Sequence, residues 1–266
     1  MNRFAALLDA LLFTPSRNGK LRLMHEYFAS VPDPERGWAL AALTGELAFA
    51  EAKPNQVRAL AMSRVDPELF GWSYDFVGDL AETVSLIWPA PQTGAAARVP
   101  SLGAIVAALQ GASRTEVGAH LAPWLDALDA TGRWALLKLV TGSLRIGVSA
   151  RLAKLALAPW SGVEIARIEE VWHGLAPPYR PLFDWLEGRG PRPETGELPT
   201  FAPLMLAQPL EEGDLAGLDP RDYLAEWKWD GIRVQAVARR GERRLYSRSG
   251  DDIGAAFPDI VAALPD

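Results

Sequence analysis

Apolar residues recur at helical spacing through the first two thirds of the chain. Phe4, Leu7, Leu8 and Leu11 form one stripe. A basic turn, residues 16–22, runs into a second helix through Tyr27 and Phe28. Asp33-Pro34-Glu35 reads as a helix start, with Asp33 as N-cap and Pro34 in the first helical position, and that helix stops near Gly45. Further helices are predicted over 54–64, 72–87 and 102–109, and from a capping box at Ser113–Glu116 to about Leu121. The pattern continues over 131–141, from Ser149 through Leu157, and over 163–173 and 179–187. A stretch dense in Gly and Pro, 188–196, then acts as a linker. Beyond it the period changes to two. Residues 223–229, 232–239 and 243–248 read as strands, with a turn at Arg240-Gly241-Glu242. The expected fold class is therefore multidomain, α then α+β: an all-helical domain over 1–195, followed by β-hairpins over 196–266.

Composition narrows the class. Of 266 residues, 49% are hydrophobic and 23% charged, as in a soluble globular protein. There is no apolar run of membrane-spanning length. No cysteine is present, so neither a disulfide framework nor a thiolate metal site can form. A cytoplasmic location is the expectation, with no membrane association. The net charge of −6 argues against a uniformly basic nucleic-acid binder, yet a local basic face remains possible. His25, His120 and His173 share no ligand spacing, and no metal site is assigned to protein side chains.

The chemistry concentrates in Glu226-Trp227-Lys228-Trp229-Asp230-Gly231-Ile232-Arg233. Read as a strand, it puts Glu226, Lys228 and Asp230 on one face and both tryptophans on the other. An ordinary surface lysine paired with acids is one reading of it. Tryptophans that limit water's access would instead disfavour the ammonium and leave a nucleophilic amine.

Lys228-Trp229-Asp230-Gly231-Ile232-Arg233 resembles the nucleophile motif of the covalent nucleotidyltransferases, which include DNA ligases, RNA ligases and capping enzymes. Glu226, Pro203-Leu204-Met205-Leu206-Ala207, Ser247-Arg248-Ser249-Gly250 and Phe257-Pro258-Asp259-Ile260 are similar to flanking segments of the ATP-dependent DNA ligases in particular. In the helical part, Leu144-Arg145-Ile146-Gly147 and Gly78-Asp79-Leu80-Ala81 resemble pieces of the DNA-binding domain that precedes the catalytic core in that family. From pattern alone, the 141–149 stretch is either a helix–turn–helix corner or an anion-holding turn.

The resemblance implies an ATP-dependent DNA ligase with a DNA-binding domain over 1–195 and the start of an adenylation domain from 196. Lys228 would carry AMP. Glu226 would contact adenine, and Arg233 and Arg248 the nucleotide or the nick phosphate. Arg145, Gly147, Lys20 and Arg22 would meet DNA. ATP and Mg²⁺ are the implied cofactors and nicked duplex DNA the partner, for a monomer acting in replication, repair or recombination. The family's later motifs follow this point, so an N-terminal fragment unable to ligate is expected. An RNA ligase or capping-type enzyme, or a binding module that has lost catalysis, are the alternatives.

Overall fold

The computed structural model describes residues 1–89, 98–142, 144–194, 196, 199–202, 210–224, 227, 229–248 and 250–265, the side chain of Trp160 excepted. The chain divides into two compact units, residues 1–165 with 175–192, and residues 166–174 with 193–266.

The first unit is helical. Its elements are α1 (Asn2–Leu12), α2 (Arg17–Ser30), α3 (Glu35–Thr44), α4 (Pro54–Met62), α5 (Pro67–Val77), α6 (Leu80–Ile87), α7 (Leu102–Gly111), α8 (Glu116–Ala127), α9 (Ala130–Thr141), α10 (Ala150–Leu155) and α11 (Ala158–Ser161). Helix α12 (Ile165–Trp172) belongs to the second unit save for its first residue, and α13 (Arg180–Leu186) returns to the first. The α1 stripe is buried as the periodicity predicts, with Leu8 and Leu11 wholly inaccessible. Helix α1 packs on α9, and α9 on α6.

Three local expectations change. Asp33 does not cap α3: the N-cap is Pro34, without a side-chain cap bond, and both Asp33 carboxylate oxygens accept from Arg36. The buried guanidinium is the stronger partner. The helix expected over 72–87 is two helices. Asp66 caps α5 by accepting from the Glu68 and Leu69 amides. Gly78, at φ 75°, ends α5 in the left-handed conformation that glycine adopts without penalty, and Asp79 caps α6. Helix α8 runs past Leu121 to Ala127 with Pro123 inside it. At its start Glu116 reaches back to accept from the Ser113 amide and hydroxyl.

The second unit holds α12, α14 (Asp214–Gly217), the hairpin β1 (Val234–Arg239) and β2 (Glu242–Ser247), and α15 (Pro258–Ala263), which packs on β2. The hairpin is antiparallel, from Val234 opposite Ser247 to Arg239 opposite Glu242. Arg240 and Gly241 form its turn at φ 51° and 81°; two consecutive positive φ values are what a type I′ turn needs. Tyr246 anchors the local core. Its hydroxyl donates to the Pro199 carbonyl at 2.6 Å, and its ring lies against His173 and Phe201 at centroid distances of 4.6 and 5.9 Å. The strand expected over 223–229 is absent among the described residues: Tyr223, Leu224, Trp227 and Trp229 are extended or irregular and belong to no ladder. A strand needs a hydrogen-bonding neighbour, and β1 and β2 pair with each other.

Candidate functional site

In the second unit, Glu226 and Lys228 lie outside the described residues, as do 203–207 and Ser249. Their described neighbours are exposed. Trp227 and Trp229 are each 86% accessible and Ile232 72%. The expected withdrawal of Lys228 from water concerns a residue outside the described ones. The register does bring two expected residues together. Arg233 immediately precedes β1 and Arg248 immediately follows β2, and because Val234 pairs with Ser247, both arginines stand at the open end of the hairpin. Asp230 enters from the same end, and all three are exposed.

The turn after β2 is tightly held. The Ser247 amide donates to the Asp251 carbonyl, the Asp251 amide donates back to the Ser247 hydroxyl, and the Gly250 amide donates to the Ser247 carbonyl. Gly250, at φ 87°, lets this loop lie on the Phe201 ring, where a Cβ would sit 3.1 Å from it. The loop presents Arg248 outward.

In the first unit, Arg145 and Gly147 lie on the connection between α9 and α10, and line a cavity of about 320 Å³ with Thr44, Gly45, Lys138 and Gly142. Arg145 is exposed in the left-handed region at φ 48°. A non-glycine residue keeps such a conformation only where its surroundings enforce it. Lys20 is part of that enforcement. It is buried on α2, and its ammonium donates to the Ile146 carbonyl at 2.5 Å and the Gly147 carbonyl at 3.1 Å. It therefore braces the turn from inside rather than standing on the surface beside Arg145. Arg22, two residues along α2, is exposed and close to Glu26 at 3.9 Å.

Lys138, essential to this arrangement, escaped the sequence reading, which held its partner Asp79 only as part of the Gly78–Ala81 segment. Lys138 on α9, buried, donates to Asp79 at 2.6 Å. Asp79 also caps α6 by accepting from the Glu82 amide. Burial opposes its ionisation, but hydrogen bonds from Lys138 and the helix amides outweigh that and hold its carboxyl below the usual range. The Gly78–Ala81 and Leu144–Gly147 segments, far apart in sequence, are thus linked through α9: Asp79 grips Lys138, which lines the cavity under Arg145. The available signal was a lysine inside the apolar run Ala135–Val140, since such a lysine needs a buried partner.

Among the described residues, no group of three or more His, Asp or Glu side chains is arranged to hold a metal ion. No described helix is long and apolar enough to cross a membrane.

Residues 204–266 match the family model described as ATP dependent DNA ligase domain. The chain is 28% identical to a probable DNA ligase of Koribacter versatilis, over 99% of this chain and 47% of that protein. It is equally 28% identical to a probable DNA ligase of Anaeromyxobacter dehalogenans, over 98% of this chain and 48% of that protein. A shorter match, 37% identity over 70 residues, is to the multifunctional non-homologous end joining DNA repair protein LigD of Mycobacterium tuberculosis, covering 26% of this chain and 9% of that protein. Over residues 204–266 the chain is similar to the ATP-dependent DNA ligase domain, and over nearly its whole length to probable DNA ligases. It spans about half the length of the first two relatives.

Proposed function

We propose that this chain provides the DNA-gripping domain and the covalent nucleophile of an ATP-dependent DNA ligase. Lys228 Nζ, once deprotonated, attacks the α-phosphorus of ATP. A P–N bond forms, the bond to the β-phosphate oxygen breaks, and pyrophosphate leaves. The AMP then passes to the 5′-phosphate oxygen of a nick, which restores the free lysine. The 3′-hydroxyl attacks that phosphate, loses its proton and expels AMP. Arg233 and Arg248, held at one end of the hairpin, offer positive charge to a phosphate there; fixed cations stabilise charge that develops during phosphoryl transfer. Glu226 contacts the adenine. ATP is the substrate of the first step, and Mg²⁺ is expected to arrive with its phosphates.

The first unit contacts nicked duplex DNA through phosphates rather than base edges. Arg145 makes the contact, Gly147 lets the backbone come close, Lys20 holds the turn in shape, and Arg22 adds charge nearby. Action in DNA repair, and a monomeric state in the cytoplasm, complete the reading.

The observation that carries it is the match of 204–266 to the ligase domain, with Lys228-Trp229-Asp230-Gly231 inside the match. The test is incubation of the protein with α-labelled ATP and Mg²⁺, followed by peptide mapping. AMP on Lys228, discharged by nicked DNA, supports the reading. Label on another residue, or on none even when the polypeptide is extended to the relatives' full length, overturns it.

A further inference from the structure

Helix α5 carries an apolar stripe with nothing over it. Leu69, Trp72 and Phe76 sit at i, i+3 and i+7 and so share one face. They are 49, 66 and 92% exposed, although Phe70 on the other side of the same helix is 2% exposed. The helix is thus seated in its unit through Phe70 and leaves its second apolar face outside. Scattered surface apolar residues are ordinary, but a turn-by-turn row of large side chains that includes an almost fully exposed phenylalanine is the pattern of a contact surface.

Charge says what it would contact. Glu68 and Asp75, exposed, flank Trp72 along one border of the stripe. Neither makes an ion pair among the described residues. From Asp66 to Ile87 the chain has five acidic residues and no lysine or arginine. Helix α6, which packs on α5, adds exposed Leu86 one turn after exposed Glu82. Glu68, Asp75 and Glu82 are exposed carboxylates that repel a polyanion, and the cation that reaches α5, Arg58, lies over the Tyr74 ring at 4.5 Å, so this face is less suited to nucleic acid than the Arg145 turn is. An apolar row with an acidic border fits an amphipathic helix whose apolar residues repeat at i, i+3, i+4 and i+7 and whose flanks are lysine or arginine.

We propose that the Leu69–Trp72–Phe76 face of α5 is a docking site for a basic amphipathic helix of a partner protein. The aromatic pair supplies the anchor, and Glu68 and Asp75 select for positive flanks and against acidic helices. None of Leu69, Trp72 and Phe76 lines the cavity at the arginine turn.

The test uses the full chain and two fluorescein-labelled helical peptides, one with leucine on one face and lysine on the other, the second with glutamate replacing lysine. Fluorescence anisotropy at near-physiological salt should show saturable binding of the lysine peptide and none of the glutamate peptide. Trp72→Ala with Phe76→Ser should weaken the lysine peptide at least about tenfold, as loss of aromatic anchors does. Glu68→Lys with Asp75→Lys, which leaves the apolar row untouched, should weaken it comparably and admit the glutamate peptide. All four side chains are exposed, and circular dichroism should show the helical content unchanged. No binding by the unmodified chain, or binding indifferent to both double variants, overturns the proposal. So does a sedimentation experiment in which the chain self-associates and Trp72→Ala with Phe76→Ser dissolves the dimer, since the occupant would then be a second copy.

Discussion

The two units differ in the interior they build, although the first too leaves some bulky apolar side chains outside, Phe76 among them. In the first, Leu8, Leu11, Met24, Ile105, Leu121 and Leu136 are wholly buried. The charged groups inside it are also matched: Arg36 to Asp33 and Glu187, Lys138 to Asp79, and Lys20 to two carbonyls. In the second, Tyr246 and Leu245 are buried, but Leu224, Trp227 and Trp229 stand more than four-fifths exposed. The first unit therefore holds its exposed arginine turn in a defined shape with its own interior. The second leaves Trp227 and Trp229, the neighbours of the proposed nucleophile Lys228, exposed. A preorganised phosphate grip needs only a rigid scaffold, whereas a neutral lysine needs an enclosed and dry setting.

Five outcomes would sharpen or break that contrast. The largest concerns Lys228: Lys228→Ala should abolish labelling by α-labelled ATP, and so should Lys228→Arg, since a guanidinium stays protonated. Both variants should bind duplex DNA as the parent does in a gel-shift titration. Next, Arg248→Ala should slow adenylation by about a hundredfold, because a stabilising contact to the transferring phosphate is worth about that much in rate. An unchanged rate would remove Arg248 from the reaction.

The third outcome sets one unit against the other in stability. Arg36 is 4% exposed and bridges Asp33 and Glu187 while its guanidinium lies 4.3 Å from the Phe183 ring centre. Arg36→Met should cost about 3 kcal/mol, because two largely buried carboxylates lose their buried cation and keep only the more exposed Arg189. Trp229→Ser should change stability by less than about 0.5 kcal/mol, as exposed substitutions do. Urea unfolding followed by circular dichroism measures both, and equal effects would dissolve the contrast.

The fourth separates the two roles at the arginine turn. Arg145→Ala should lower DNA affinity and reduce its salt slope by about one, the signature of a lost phosphate contact. Lys20→Met should cost about 1–2 kcal/mol of stability, since two carbonyls are left unpaired, and weaken DNA binding while the slope stays unchanged. A reduced slope in Lys20→Met would instead make Lys20 a phosphate ligand. The smallest effect is on acid stability. Asp79 titrates below its usual range in the folded protein, so its contribution is complete above the unfolded-state carboxylate range and disappears as pH falls through the lowered folded value. Asp79→Asn should flatten the acid limb of the stability curve, as read by thermal melts between neutral and strongly acidic pH.

The helical reading of 1–187 followed from periodicity, because a stripe such as Phe4–Leu7–Leu8–Leu11 is fixed by spacing alone. The turn at Arg240-Gly241 was legible for a similarly local reason, since glycine readily takes a positive φ. The Gly78 break was less legible, because leucines and aromatics continue across it and only the Gly-Asp pair marks it. The strand expected over 223–229 does not form among the described residues for the opposite reason: alternation states which faces a strand would have, but a ladder requires a partner, and a partner is a property of the whole sheet.

By itself, the sequence determined the element types, the switch of period after the linker and the identity of the candidate nucleophile, since each depends on neighbours a few residues apart. Tertiary structure alone decided that Lys20 points inward to carbonyls 126 and 127 residues away. It decided that Asp79 meets Lys138 across 59 residues, and that Arg233 and Arg248 share one end of a hairpin. Periodicity carries no information about long-range pairing, and a charged side chain looks the same in sequence whether it braces a turn from within or faces a phosphate from outside.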